Sequence, residues 1–245
     1  MSIYVITGAS RGIGLEFVRQ ISSKGNTVFA CARNPDQSEE LRQLTDNKSV
    51  YSVKLDVTCD RSLKEAVQEV SKHATEGIDV LINNAGLTLT TNNVEEAPKD
   101  ELIKVFETNV TGVTETTKAF LPLLRKRGSD HTKKILNISS SVGSVSNTTS
   151  TGNAAYRISK SALNMTTKLQ ALHLAKENFI VYASHPGWVQ TDMGGKEAKI
   201  SPEESVKGQL AKLDSVTEQD NGGYFDWQKD PWTIKTVPIS LHHFK

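Results

Sequence analysis

The chain has 245 residues, enough for one α/β domain with a well-buried core, and no low-complexity run or charge block marks a linker. With 29 Lys and Arg against 28 Asp and Glu, the formal net charge of +1 gives no electrostatic basis for binding nucleic acid or an anionic membrane surface. Two cysteines, Cys31 and Cys59, supply neither a disulfide framework nor metal-ligand spacing.

The opening "MSIYVITGAS" lacks the basic region and long apolar run of a signal peptide or membrane span, so a cytoplasmic protein is expected. Ile3 to Ile6 is the first of six short, mostly β-branched runs bounded by turn signals. The others are Val28 to Ala32, Val50 to Val57, Val80 to Ile82, Ile135 to Ile138 and Ile180 to Ala183, and all read as buried strands. Between the first two, Ile13, Phe17, Val18 and Ile21 recur at helical spacing, with Gly25 placed to end the helix. Asp60 is expected to cap a helix carrying Leu63, Val67 and Val70. One longer helix follows Pro98 and stops at Gly128, with Arg125, Lys126 and Arg127 as its solvated end. "SPEE" at 201–204 reads as a capping box opening a late helix. Strands alternating with helices predict βαβ units and a parallel sheet.

The chemistry concentrates in the turns. "TGASRGIG", Thr7 to Gly14, joins the first strand to the first helix, where a pyrophosphate meets helix N-terminal N–H groups; Gly8, Gly12 and Gly14 permit the tight turn and close approach. An acidic residue ending the second strand would accept a ribose 2′-OH. Here that strand ends "ACARN", with Arg33 and Asn34 at the position and Arg11 in the glycine-rich turn, so two guanidinium groups would bracket a 2′-phosphate and NADPH is favoured over NADH. In "NAAYRISKSALN", Tyr156 and Lys160 stand four apart on one helix face. That spacing alone is weak, because a lysine-rich chain produces it by chance.

"TGASRGIG", "NNAG" at 83–86, Asn109 in "TNVTG", "NISSSVG" at 137–143, "YRISK" at 156–160 and "HPGWVQTDM" at 185–193 together resemble the short-chain dehydrogenase/reductase family, over nearly the whole chain. Within it, "AAYRISKSALN", "HPGWVQTDMGG" and "NGGYFDW" are most similar to small carbonyl reductases of the sniffer and C-factor type. The resemblance implies a single-domain Rossmann fold over 1–245, with a doubly wound seven-stranded parallel sheet of order 3-2-1-4-5-6-7 and a substrate site built from about 140–225. It also implies NADPH-dependent carbonyl reduction. Tyr156 would give the proton; Lys160 would lower the phenol's pKa and reach the nicotinamide ribose; Ser140 would bond the substrate oxygen; Asn109 would hold a relay water. Ser10 and Ile13 would complete the phosphate turn, Asp56 and Val57 the adenine pocket, and Asn83, Ala85 and Gly86 the backbone along the ribose. Pro186, Gly187, Val189 and Thr191 would meet the nicotinamide. Of the three serines ending the fifth strand, Ser140 alone faces opposite Ser139 and Ser141, and the family pattern assigns it the catalytic role.

Two departures are visible: the interval from Ser140 to Tyr156 is long, its extra residues falling in the polar loop "GSVSNTTSTGN", expected at the pocket rim, and the segment "GGKEAKI" is short, arguing for an open site. Trp188 reads equally as pocket wall or core. No metal is expected, and His242 and His243 read as a solvated tail. A homodimer is expected through the segments from about Lys99 to Arg127 and Ala154 to Lys176, with a small-molecule carbonyl as substrate. Alcohol oxidation by the same residues, or cofactor binding without turnover, stay open as alternatives.

Overall fold

The computed structural model describes residues 1–90 and 92–228. Seven strands are laid down in chain order: β1 Ile3–Thr7, β2 Thr27–Ala32, β3 Val50–Lys54, β4 Val80–Asn83, β5 Lys133–Ile138, β6 Phe179–His185 and β7 Tyr224–Asp226. They form one sheet of order β3-β2-β1-β4-β5-β6-β7, with every pairing parallel. This is the expected Rossmann arrangement. The helices are α1 Gly12–Ser23, α2 Glu39–Leu44, α3 Asp60–His73, α4 Lys99–Phe106, α5 Gly112–Arg125, α6 Ala154–Leu174 and α7 Pro202–Ser215. No helix among the described residues is long and apolar enough to cross a membrane.

Strand side chains alternate between faces, so each central strand feeds two cores. Ile6, Ile82, Leu136 and Tyr182 pack with Phe17 of α1 and Leu210 of α7, whereas their neighbours Val5, Leu81, Ile135 and Val181 pack with Leu63 of α3, Phe120 of α5 and Leu174 of α6. Burial on both faces explains why the strands read as continuous apolar runs.

Near its C-terminal end the second face turns polar. Asn83 and Asn137 are in register, and the Asn83 amide donates to Asn137 Oδ1 at 2.9 Å and to Thr117 Oγ1 of α5 at 3.1 Å. The Asn137 amide donates in turn to Thr167 Oγ1 (2.9 Å) and Gln170 Oε1 (3.1 Å) of α6. Both asparagines are buried, so these bonds lock α5 and α6 to the sheet directly below the site.

Three local expectations are corrected. β3 stops at Lys54 instead of Val57, because Asp56 turns the chain by accepting from the Thr58 N–H (3.0 Å) and hydroxyl (2.8 Å). Asp60 is the first residue of α3 and not its cap; Cys59 holds the cap position with extended backbone. The helix after Pro98 is not uniform, since Glu107–Thr111 forms a π-helical turn between α4 and α5. Ser201 caps α7 by accepting from the Glu204 N–H at 3.2 Å, but the reciprocal Glu204 bond that would complete the expected capping box is absent among the described residues.

Asn137→Ala strips three buried bonds at once and leaves polar partners unsatisfied, so it should lower unfolding free energy by roughly 3 kcal/mol in urea titrations. A loss below about 1 kcal/mol, that of one ordinary hydrogen bond, would mean that the row does not anchor the helices.

Candidate active site

A cleft of about 960 Å³ opens along the C-terminal ends of the strands, where parallel α/β sheets place their ligands. Its first wall is the glycine-rich turn, lined by Gly8, Ser10, Arg11, Gly12, Ile13 and Gly14. Gly8 and Gly12 have φ of +67° and +55°. A Cβ at Gly8 would lie 2.9 Å from Ala85 Cα, and one at Gly14 would overlap the Gly8 carbonyl, so only glycine fits this pinched turn. α1 has no side-chain cap at Arg11, leaving its first N–H groups to the cleft.

The turn is held by residues to which the sequence reading gave no role. Asn84 donates to the carbonyls of Thr7 (3.0 Å) and Gly8 (3.1 Å), while the Thr7 hydroxyl accepts from the N–H groups of Asn84 and Ala85 at 3.0 Å. Asn84 lies inside the quoted "NNAG", but nothing in the spacing singles it out.

Arg33 and Asn34 after β2, Asp56 and Val57 after β3, and Ala85 and Gly86 after β4 continue the lining. Arg33 is exposed; Arg11, instead of standing free beside it, pairs with Asp192 at 3.0 Å. Pro186 and Thr191 line the far wall. Three expected contacts lie outside the cleft lining. Asn83 is committed to the polar row, Val189 is buried and bridges to Ile200, and Gly187 packs against Ile200 and Trp227. Trp188 is neither core nor cleft wall: it is half exposed, and its indole N–H donates to the Gly194 carbonyl at 2.7 Å. Residues 144–153 of the polar loop also stay out of the lining.

Tyr156 and Lys160 bring the first two turns of α6 to the deep end of the cleft. The Lys160 ammonium is buried, donates to the Ile138 carbonyl at 2.8 Å, and sits 5.5 Å from the centre of the Tyr156 ring. Burial lowers its pKa to about 7. Ser140 lies close enough to the Tyr156 hydroxyl to favour phenolate, and its own oxygen accepts from the Val142 N–H at 3.4 Å. The expected depression of the phenol by Lys160 is not what this geometry gives. Burial raises the Tyr156 pKa to about 12 and outweighs the effect of Ser140, while the ammonium is turned to a carbonyl. Ser139 reaches the cleft lining, where Ser140 does not, but its hydroxyl is committed to Asn164 Oδ1 at 2.6 Å; Ser141 begins a short 3₁₀ turn.

Asn109 sits in the π turn with no exposure. Its oxygen accepts from the Leu87 N–H (2.7 Å) and its amide donates to the Leu87 carbonyl (2.8 Å) and to Ser159 Oγ (2.9 Å). Ser159 passes the connection on to the Tyr156 carbonyl at 2.8 Å. The four expected residues thus occupy one connected neighbourhood, although Asn109 and Ser140 stand behind the cleft surface. Among the described residues no group of His, Cys, Asp or Glu is placed to hold a metal; His242 and His243 lie outside them.

A short chain dehydrogenase family model matches residues 2–201. The chain belongs to the short-chain dehydrogenase family. It is an oxidoreductase, 38% identical over 242 residues to an uncharacterized oxidoreductase of Schizosaccharomyces pombe, covering 91% of this chain and 94% of the relative. Among solved structures it is similar to the carbonyl reductase Sniffer of D. melanogaster (TM-score 0.90, 30% identity, 95% of this chain and 98% of that one). It is also similar to an NADPH-bound carbonyl reductase from chicken fatty liver (TM-score 0.88, 31% identity, 95% and 99%).

The buried ammonium has a stability signature. Below pH 7 Lys160 is protonated in both folded and unfolded chains and its burial cost is fully present; between about 7 and 10.5 only the unfolded chain keeps the proton, so stability rises with pH. Chemical denaturation of wild type and Lys160→Met at pH 6.5, 8 and 9 should show wild type gaining on the variant. Parallel curves would contradict the assignment.

Proposed function

We propose that the chain is an NADPH-dependent carbonyl reductase, one domain spanning 1–245 whose substrate end is built from about 140–225. The observation that carries this reading is Tyr156 and Lys160 side by side in the lining of a dinucleotide-sized cleft that begins at the glycine-rich turn. A phenol whose pKa is raised by burial stays protonated at neutral pH and can give its proton to a substrate oxygen; the same group would take a proton back in alcohol oxidation.

The pinched glycine turn and the open N-terminus of α1 fit a pyrophosphate, and Arg33 fits a 2′-phosphate. NADPH, when bound, supplies hydride to the substrate carbon. Tyr156 gives its proton to the substrate oxygen, and Ser140 donates a hydrogen bond to the charge developing there. Lys160, with a pKa near 7, stands ready to resupply the proton at neutral pH. Asn109 has no side-chain donor left for a relay water.

We also propose a homodimer. Ile158, Met165, Leu169 and Leu172 are 46–64% exposed and, at intervals of seven, four and three, form one apolar stripe on α6. An apolar groove of about 570 Å³ between α4 and α6, lined by Leu102, Ile103, Phe106, Ala155 and Ile158, continues it. Two unpaired thiols, Cys31 and Cys59, suit the cytoplasm.

Tyr156→Phe should lower kcat by more than about 10²-fold with NADPH binding retained, in an assay of NADPH consumption over aldehydes, ketones, quinones and 1,2-dicarbonyls. Ser140→Ala should lose on the order of 10²-fold and Ser139→Ala much less; the reverse order would shift the serine assignment by one. Arg33→Asp should move the NADPH/NADH ratio of kcat/KM towards NADH, and an unchanged ratio would remove Arg33 from the phosphate site. By sedimentation at micromolar concentration, wild type should be a dimer and Leu169→Glu a monomer. A monomeric wild type would refute the interface.

A further inference from the structure

The ion pair between Arg11 and Asp192 joins the two walls of the cleft. Arg11 stands on the glycine-rich turn and Asp192 on the segment after β6, with Nη1 and Oδ2 3.0 Å apart. The approach is built into the backbone. Thr191 Cγ2 lies 3.1 Å from where a Cβ on Gly12 would be, so the two walls touch immediately beside the pair. Thr191 is itself fixed by bonds from the N–H groups of Gly194 (3.1 Å, to its hydroxyl) and Gly195 (2.9 Å, to its carbonyl), which holds Asp192 over the turn. Arg33 makes no ion pair among the described residues, so the two cations assigned to the phosphate differ: one is available and one is engaged.

We infer that Asp192 is a specificity-determining residue, competing with the cofactor's 2′-phosphate for Arg11. The inference rests on the reading of Arg11 and Arg33 as the phosphate pocket. A dianionic phosphate offers Arg11 more charge than one carboxylate, so the guanidinium changes partner when NADPH binds. NADH carries no 2′-phosphate and leaves the pair in place. The carboxylate therefore weakens NADPH binding selectively, and because both side chains are largely exposed the effect is modest.

The test is a binding cycle by cofactor fluorescence titration. Asp192→Asn should tighten NADPH roughly two- to fivefold and leave NADH unchanged, and the gain should vanish when Asp192→Asn is made in an Arg11→Gln background. A gain that survives without Arg11 would reflect the general field of the carboxylate and overturn the inference. So would an Asp192→Asn variant that binds NADPH no more tightly than wild type. A wild type that takes NADPH and NADH alike would refute the phosphate pocket itself, whereas a clear preference that Asp192→Asn leaves untouched refutes only the competition.

Discussion

A lysine ammonium is costly to bury, and much of the architecture at the strand ends serves to bury one. Lys160 is held there by a hydrogen bond from its ammonium to the Ile138 carbonyl at 2.8 Å, and its main chain is packed tightly by the turn after β5. Gly143 lies so near α6 that a Cβ would sit 2.8 Å from the Lys160 carbonyl carbon, and a Cβ on Gly86 would stand 3.8 Å from the ammonium and 3.5 Å from Asn109 Oδ1. The turn after β5, the strand-end segment after β4 and the π turn thus converge on one cation. Tyr156, one helical turn before it, is half-buried in the cleft lining, and desolvation pushes the two pKa values in opposite directions, towards about 12 for the phenol and about 7 for the amine. Desolvation is the largest cause of both shifts.

Helix α6 keeps its position because the polar row beneath it leaves little freedom. Asn83 and Asn137 sit on adjacent parallel strands, and their amides tie β4 and β5 to Thr117, Thr167 and Gln170 on the two helices. Asn109 and Ser159 make the corresponding link higher up, from the π turn to the Tyr156 carbonyl. Apolar contacts would fill the same space but would not fix register as these directional bonds do.

Strand order and helix placement were legible in the sequence because buried parallel strands write themselves as β-branched runs and because six motifs fell in family order. The glycine turn was legible for the same reason. The end of β3 was not: Val50 to Val57 is uniformly apolar or turn-neutral apart from Lys54 and Asp56, and only the Asp56 to Thr58 bonds show where the strand stops. The π turn was illegible because the low helix propensity of Thr108, Asn109, Val110 and Thr111 does not tell a π turn from an ordinary helical one; only the hydrogen-bond ladder does. Arg11 illustrates a further limit. Its place in the turn was read correctly, but its partner, Asp192, is 181 positions away in the chain, and no local pattern reports such an encounter.

The proposed activity requires a hydride and a proton to reach opposite ends of one carbonyl bond. Incubating the protein with NADPH deuterated at the transferable C4 position and a panel of aldehydes and ketones, then analysing the alcohols by mass spectrometry, tests that directly. The account predicts alcohol carrying a single deuterium on the carbinol carbon, formed by wild type and not by Tyr156→Phe. Alcohol without the label, or labelled alcohol formed equally well by Tyr156→Phe, would contradict it.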